Sequence, residues 1–344
     1  TCPCALSLAT PATLVAAARG LAARGVLLRR LDALEAMARA DQVCLDKTGT
    51  LTQAGLVPAG VTLWPDAGFD QAQAWARASG LAAWSTHPVS AALAATPGAE
   101  PATDWQGVRE VPGQGLEAQD ASGRRWRLGS HAWVAPGQGG EPGREEPSGP
   151  SLAAWLGVDD RPVARFTLDE ALRPDAAEAV AALDAAGLGV TLLSGDRSPQ
   201  AQALGARVGI SRVVGSASPE GKLEHVRRLQ AEGHRVVMVG DGLNDTPVMA
   251  AADVSVAMGS AALAARHPCD AVIVSGAVAG VAHLRATAVL SMRLIRQNLV
   301  WALVYNAACI PLAAAGGLPP WAAGLGMALS SLAVMLNAQR AAGR

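Results

Sequence analysis

The chain has 344 residues, enough for about two domains, and half of them are hydrophobic, with a mean hydropathy of +0.22, which excludes disorder and a coiled coil. Lys and Arg number 28 against 29 Asp and Glu, so the net charge of −1 leaves no basic field to collect a nucleic acid. Aromatic residues are only 3% and cysteines number five; the apolar volume is Ala, Leu and Val, and the odd cysteine count argues against a secreted disulfide framework while leaving metal or redox chemistry open.

In chain order, residues 1–18 carry no charge and run into Arg19, Arg24, Arg29 and Arg30, the pattern of a helix leaving a membrane into the cytoplasm. A charged leader and an A-x-A cleavage site are lacking, so this is not a signal peptide, and without an initiator Met the chain reads as cut from a longer membrane protein. Apolar runs end at Asp46, at Ser194 (residues 189–193) and at Gly240 (residues 236–239), the pattern of a buried parallel sheet. Helical patterns at 174–186 and 219–232 supply crossovers. The fold class expected is α/β, a doubly wound parallel sheet with its site at the strand C-termini. From 58 to 165 that rhythm breaks into a helical stretch at 71–95 and short Trp-containing runs at 103–111, 124–128, 151–158 and 163–167, which predict an inserted antiparallel sheet with flanking helices. Residues 136–150, rich in Gly, Pro and Glu, predict a surface loop. No Asp, Glu, Lys or Arg occurs from 297 to 339, room for two spans of about 20 residues around a turn at Gly316-Gly317-Leu318-Pro319-Pro320. Arg293 and Arg296 before it and Arg340 and Arg344 after it place both ends on the cytoplasmic side. The divisions expected are 1–24, a membrane helix and its exit; 25–57 and 167–284, the α/β domain; 58–166, the insert; and 285–344, a membrane hairpin.

The strongest motif is Asp46-Lys47-Thr48-Gly49-Thr50-Leu51-Thr52, directly after a predicted strand. A carboxylate at a sheet's C-terminal edge can attack a phosphoryl group and form an aspartyl-phosphate, and the Gly and Thr residues give a turn whose N–H groups face phosphate oxygens. The string resembles the D-K-T-G-T-L-T signature of P-type ATPases. Further motifs of that family follow in order: Ser194-Gly195-Asp196 for T-G-D, with Ser for Thr; Pro219-Glu220-Gly221-Lys222, with Gly221 for the usual Asp; and Gly240-Asp241-Gly242-Leu243-Asn244-Asp245-Thr246-Pro247 for G-D-G-x-N-D-x-P.

The resemblance implies a haloacid-dehalogenase-like phosphorylation domain carrying an inserted α+β nucleotide-binding domain, flanked by transmembrane helices. It makes Asp46 the nucleophile, and Asp46, Asp241 and the Thr48 carbonyl the holders of Mg²⁺. Lys222 offsets charge on the transferring phosphoryl, Ser194, Asp196, Asn244 and Asp245 position it, and Lys47 and Gly195 belong to the same catalytic set. The electrostatic logic also stands by itself, because a carboxylate cannot approach a polyanionic γ-phosphate unless a metal and a Lys neutralise it. Thr48 occupies the place where hydrolytic relatives put a second Asp. The aspartyl-phosphate should therefore be long-lived, which suits a pump and disfavours a phosphatase.

In the insert, Ser85-Thr86-His87-Pro88 precedes an apolar helical pattern, and Gly113-Gln114-Gly115 and Arg127-Leu128-Gly129 follow. A His-Pro is ordinarily a helix-start turn, as at His267-Pro268. The heavy-metal branch of the family carries S-x-H-P in this place, which implies that His87, Pro88, Gly113, Gly115 and Gly129 bind ATP, the His against adenine. Ala82 and Thr86 stand where many members have Glu, so an acidic contact to adenine is unfilled at those positions.

Cys2-Pro3-Cys4 would face opposite sides of an intact helix, since residues two apart lie about 200° apart. Pro3 blocks the regular ladder, so an unwound segment could converge both thiolates on one ion. Soft sulfur selects Cu(I), with Zn²⁺ next. The hairpin offers Tyr305-Asn306, then Met327 with Ser330 and Ser331 at i+3 and i+4, and has no carboxylate or Lys. This resembles the Cu(I) subgroup and implies Cys2, Cys4, Tyr305, Asn306, Met327 and Ser331 as ligands of the transported copper. Residues 319–327 look like the copper pumps serving haem-copper oxidase assembly. Cys44, Cys269 and Cys309 read as packing residues.

The chain is expected to be the C-terminal portion of a multi-pass pump of a bacterial inner or plasma membrane, its catalytic domains cytoplasmic. ATP and Mg²⁺ would be its cofactors and Cu(I) its cargo, moved out of the cytoplasm. Membrane lipid, the upstream half of the same protein and a copper chaperone are the partners implied, and nucleic acid is not among them. The alternatives are a Zn²⁺ or Cd²⁺ pump, a membrane-tethered phosphatase of the same fold, and a non-enzymatic metal-binding membrane module.

Overall fold

Residues Gln42-Val43-Cys44-Leu45-Asp46 are buried without exception, as a strand covered on both faces must be, and the other apolar runs behave alike. The computed structural model describes residues 4–96, 101–136, 152–241, 245–259 and 269–343. Its elements in chain order are α1 (Cys4–Ala22), β1 (Val26–Leu28), α2 (Ala33–Arg39), β2 (Gln42–Asp46), β3 (Thr52–Leu63), α3 (Gln71–Ala82), α4 (Pro88–Ala94), β4 (Gln106–Val111), β5 (Gly115–Gln119), β6 (Arg125–Gly129), α5 (His131–Val134), β7 (Leu152–Val158) and β8 (Arg161–Leu172). There follow α6 (Ala176–Ala185), β9 (Gly189–Leu193), α7 (Ser198–Val208), β10 (Arg212–Val214), α8 (Pro219–Ala231), β11 (Val236–Gly240), α9 (Thr246–Ala251), β12 (Val254–Met258), β13 (Ala271–Ile273), α10 (Ala279–Ala314) and α11 (Pro320–Gln339). The chain divides into two units, Thr1–Leu51 with Arg173–Arg344, and Thr52–Leu172.

The first unit holds a seven-stranded sheet in the order β1-β13-β12-β11-β2-β9-β10. All its pairs are parallel except the edge pair β1 and β13. The chain passes from β2 outward through β9 and β10, then crosses to β11 on the other side of β2. That reversal opens a crevice at the C-terminal ends of β2 and β11. The helix α8, which faces this crevice with Lys222, starts on Ser218, whose hydroxyl accepts from Gly221 N–H at 3.1 Å, and on Pro219 at its first position.

The helix α10 is continuous over 36 residues, about 54 Å, and packs with α1 and α11 around Ala9, Ala302, Val334 and Leu299. Two spans were expected from residues 297–339. The turn falls as predicted before Pro320, but the first span is the end of a helix that starts at Ala279, and Gln297, Asn298, Tyr305, Asn306 and Pro311 dilute its apolar character. Among the described residues one helix, Pro320–Ala342, is long and apolar enough to cross a membrane. Large apolar side chains nonetheless lie exposed on both helices, among them Trp301, Leu303, Val304 and Ile310 on α10 and Trp321, Leu325, Leu329 and Leu336 on α11.

The second unit is a six-stranded antiparallel sheet, β3-β8-β7-β6-β5-β4, covered by α3 and α4 over a core centred on Trp126, Phe166, Leu81 and Leu93. It runs from Thr52 to Leu172, wider than 58–166, because β3 and β8 are each 12 residues long and pair along their length. Pro58, read in the sequence as a break, sits in β3 at the sheet edge beside a register shift, where a missing N–H is tolerated. The helix expected over 71–95 is two helices. The first opens on a capping box between Asp70 and Gln73; the second starts at Pro88, which cannot continue a preceding helix.

Candidate active site

Asp46 closes β2 at the crevice and is only 6% exposed. Lys222 reaches it from α8, donating from Nζ to Asp46 Oδ1 at 2.5 Å and to Asp245 Oδ1 at 2.8 Å. One ammonium thus bridges two buried carboxylates. Burial, with Asp245 alongside, pushes the Asp46 carboxyl up to about 6 against the opposing pull of Lys222. Burial also works against charge on Lys222, but the two carboxylates outweigh it and raise its pKa above the ordinary lysine value. At neutral pH this leaves an ionised Asp46 in poorly solvated surroundings, the condition of a reactive nucleophile.

The loop after Asp46 is shaped by Gly49, whose φ of +71° is left-handed and whose position is tight, since a Cβ would stand 3.1 Å from Cβ of Asp241. This brings Asp241, just past β11, against the Thr48–Gly49 turn. Ser194, Gly195 and Asp196 turn at the end of β9, the Ser194 hydroxyl accepting from Asp196 N–H at 3.1 Å, and the Asp196 carboxylate pairs with Lys47 at 2.8 Å. The structure therefore gathers Asp46, Lys47, Thr48, Ser194, Gly195, Asp196, Lys222, Asp241 and Asp245 at one sheet edge. Asn244, with Gly242 and Leu243, lies outside the described residues.

Arg173 was not foreseen. Its Nε donates to Thr50 O at 2.8 Å, one terminal nitrogen to Gly49 O at 2.9 Å and the other to Gly276 O at 2.6 Å, while its own N–H donates to Leu51 O at 2.8 Å. The only trace in sequence is an Arg-Pro-Asp at the end of an apolar strand, where Pro174 holds the preceding residue extended.

Asp46, Asp241 and the Thr48 carbonyl are hard oxygen donors, and two carboxylates with a carbonyl suit Mg²⁺ completed by water and substrate phosphate. Asp245 Oδ2 is buried with no hydrogen-bond partner among the described residues, an acceptor left for a group that arrives. Among the described residues no three His, Cys, Asp or Glu gather to hold a metal. The donor set fits Mg²⁺.

The residues expected to hold copper are placed less completely. Cys2 and Pro3 lie outside the described residues, as does the side chain of Cys4, which opens α1. Tyr305 Oη lies so close to Gly326 that a Cβ there would stand 2.7 Å from it. Asn306 Nδ2 donates to Ala302 O of its own helix at 2.8 Å. Met327 is exposed on α11, Ser331 is half-buried, and buried Ser330 accepts from Trp301 Nε1 at 3.1 Å. Cys44 is fully buried in β2, where burial pushes its thiol up to about 12, as suits packing.

In the second unit a cavity of about 290 Å³ brings His87, Gly113, Gly115 and Gly129 together, as the sequence implied, and adds Glu110. Pro88 stands beside it as the first residue of α4. A Cβ at Gly115 would stand 2.1 Å from Leu128 O, and one at Gly129 2.0 Å from Gln114 O; only glycines let β5 and β6 approach so closely here. His87 caps α4 by accepting from Val89 N–H on Nδ1 at 3.3 Å, which leaves the ring proton on Nε2. Ser85 Oγ accepts from His87 N–H at 3.1 Å and donates to Glu110 Oε1 at 3.0 Å. Ala82 is buried in the core and Thr86 is exposed. His267-Pro268 and residues 137–150 lie outside the described residues.

Residues 40–253 match the haloacid dehalogenase-like hydrolase family. The chain is 41% identical over 340 residues to nitrogen fixation protein FixI of Rhizobium leguminosarum bv. viciae, covering 99% of this chain and 43% of that protein. It is 39% identical over 346 residues to a copper-exporting P-type ATPase of Mycobacterium tuberculosis, covering 98% and 44% respectively. A crystal structure of a zinc-transporting PIB-type ATPase matches it with a TM-score of 0.86 at 29% identity, over 99% of this chain and 56% of that one. The chain spans less than half the length of these two curated relatives. With Asp46 at the switch point of its parallel sheet, it belongs to the haloacid dehalogenase-like hydrolases, and its likeness within them is to the P-type ATPases.

Proposed function

We propose that this chain is the catalytic and C-terminal membrane part of an ATP-driven pump that moves Cu(I) out of the cytoplasm through an aspartyl-phosphate on Asp46. The observation that carries the reading is the buried Asp46 held by Lys222 beside Asp245. An Asp46 oxygen attacks the γ-phosphorus, the bond to the β,γ-bridging oxygen breaks, and ADP leaves with the electron pair. Lys222 screens the approaching charge, Arg173 fixes the loop carbonyls, and the Thr48–Gly49 turn presents backbone to the phosphoryl oxygens. Mg²⁺, held by Asp46, Asp241 and the Thr48 carbonyl, would supply charge neutralisation on the transferred group. Thr48 offers no second carboxylate to activate water, which supports an accumulating phosphoenzyme.

Cu(I) as cargo is supported by the thiolate chemistry of Cys2-Pro3-Cys4, by Met327, and by a hairpin without carboxylate or Lys. The likeness of residues 319–327 to oxidase-assembly pumps belongs to the same reading. A second reading, Zn²⁺ as cargo, is favoured by the likeness to a zinc-transporting structure. Acid-stable label from γ-phosphate-tagged ATP, measured in the full-length protein with Cu(I) or Zn²⁺ titrated in, tests both. Label should depend on Cu(I) and vanish in Asp46→Asn. Persistence in Asp46→Asn moves the nucleophile elsewhere, and dependence on Zn²⁺ alone changes the cargo.

A further inference from the structure

The cavity of the second unit is walled by apolar side chains such as Leu116, Leu128 and Ala154, and the residues lining it include one carboxylate, Glu110, and no Lys or Arg. A triphosphate, with several negative charges, gains nothing by entering a slot whose one full charge among the described residues is negative. A neutral, flat base gains apolar contact there. What the slot then lacks is an explanation for Glu110, an exposed carboxylate that lines it beside the uncharged polar side chains of Ser90, Gln114 and Ser130 and the His87 ring. Its Oε1 already accepts from the Ser85 hydroxyl at 3.0 Å, so Ser85 steadies the carboxylate and the second oxygen remains as an acceptor for a ligand. A carboxylate losing water to a ligand needs a donor in return.

We propose that Glu110 is a specificity-determining residue of this site: it accepts a hydrogen bond from the exocyclic amine of adenine and so selects 6-aminopurine nucleotides. Guanine would turn a carbonyl oxygen to the carboxylate at that position, and two acceptors repel. The proposal rests on the reading of this cavity as the nucleotide site. It assigns the acidic contact to β4, from a residue that no motif marks. Glu110 also has a mechanical connection, since Ser85 Oγ accepts from His87 N–H, and the test must separate the two roles.

The experiment compares equilibrium binding of ATP, GTP and purine riboside triphosphate, which is ATP without its amine, to the whole chain and to Glu110→Ala and Ser85→Ala. One hydrogen bond to a charged group corresponds to about a tenfold preference for ATP over the amine-free analogue in the unmodified chain. In Glu110→Ala that ratio should fall to about one, and the disadvantage of GTP relative to the analogue should shrink. In Ser85→Ala both affinities should fall, through the His87 turn, while a preference for ATP over the analogue remains, because the Glu110 carboxylate is still present. A ratio unchanged in Glu110→Ala would overturn the proposal and leave Glu110 as a holder of the His87 turn only. If the unmodified chain binds no nucleotide and His87→Ala alters nothing, the nucleotide reading itself has failed. Near-ultraviolet circular dichroism of the Trp-rich second unit checks that each variant is folded.

Discussion

Arg173 offers three nitrogens to three carbonyls, two of them in the turn that follows Asp46, and burial lowers its pKa although Asp175 supports the charge. A lysine presents a point charge on a flexible stem and cannot span that fork. Arg173→Lys should therefore cut phosphoenzyme yield by about tenfold or more while leaving ATP affinity within twofold, which labelling and equilibrium binding read separately. Asp120 plays a comparable part in the second unit, accepting from Trp126 Nε1, Arg124 and the Ser122 N–H. Burial works to raise its pKa, but these donors outweigh it and hold the carboxyl below the usual aspartate range. Its contribution is thus present above the unfolded value of about 3.8 and is lost as pH falls through the lower folded value. Asp120→Ala should cost about 2 kcal/mol at pH 7, and the gap to the unmodified chain should close in strong acid, followed by urea unfolding with Trp fluorescence. Asp46 and Lys222 were legible because a contiguous string surrounds each. Arg173 and Glu110 were not, since their partners, Gly49 to Thr50 and Ser85, are brought to them only by the fold.

Two glycines of the cavity proposed to take the nucleotide separate space from strain. Gly129 lies in β6, where a Cβ would strike Gln114 O at 2.0 Å, whereas Gly113 has a φ of +74° with open space around it. Gly129→Ala should spread β5 from β6, lowering ATP affinity by about tenfold or more and costing about 2 kcal/mol of stability. Gly113→Ala should cost only about 1 kcal/mol, the strain of a left-handed turn residue. Thermal unfolding and nucleotide titration of both variants would check this contrast. At this scale the C-terminal ends of β2, β9 and β11 were read to within a residue, because burial on both faces leaves an unbroken apolar run, whereas β10, β12 and β13 of the same sheet were not read. β3 and β5 escaped notice, and β8 was seen only at 163–167, since β5 carries a buried Glu117 between Leu116 and Ala118 and Pro58 and Pro162 look like ends. The break between α3 and α4 was hidden by Ala and Leu on both sides of it.

Across the whole molecule, polar groups are distributed through the helical layer as well as the catalytic sheet. Asn298, buried on α10, donates to Val334 O at 3.4 Å and accepts from Asn337 Nδ2 at 2.9 Å. Asn298→Ala should loosen α10 from α11 by about 1 kcal/mol, leaving Asn337 short of a partner, and should lower the thermal midpoint in detergent without changing ATP affinity. The membrane hairpin expected from 285–344 was only half legible: hydropathy finds α11, but a sequence window cannot see that α10 runs unbroken from Ala279 to Ala314. The boundary of the insert has a further consequence. The chain departs at Leu51 and returns at Arg173 across one 2.8 Å hydrogen bond, so the two ends of the host unit already meet where the guest is spliced in, and a short turn would seal the gap. In an evolving lineage such a splice point behaves as a cassette slot. Guests can be lengthened, traded or deleted there without forcing the parallel strands into a new register, and a recombinant that discards the guest keeps Asp46, the proposed nucleophile, while losing the module proposed to deliver the phosphoryl donor.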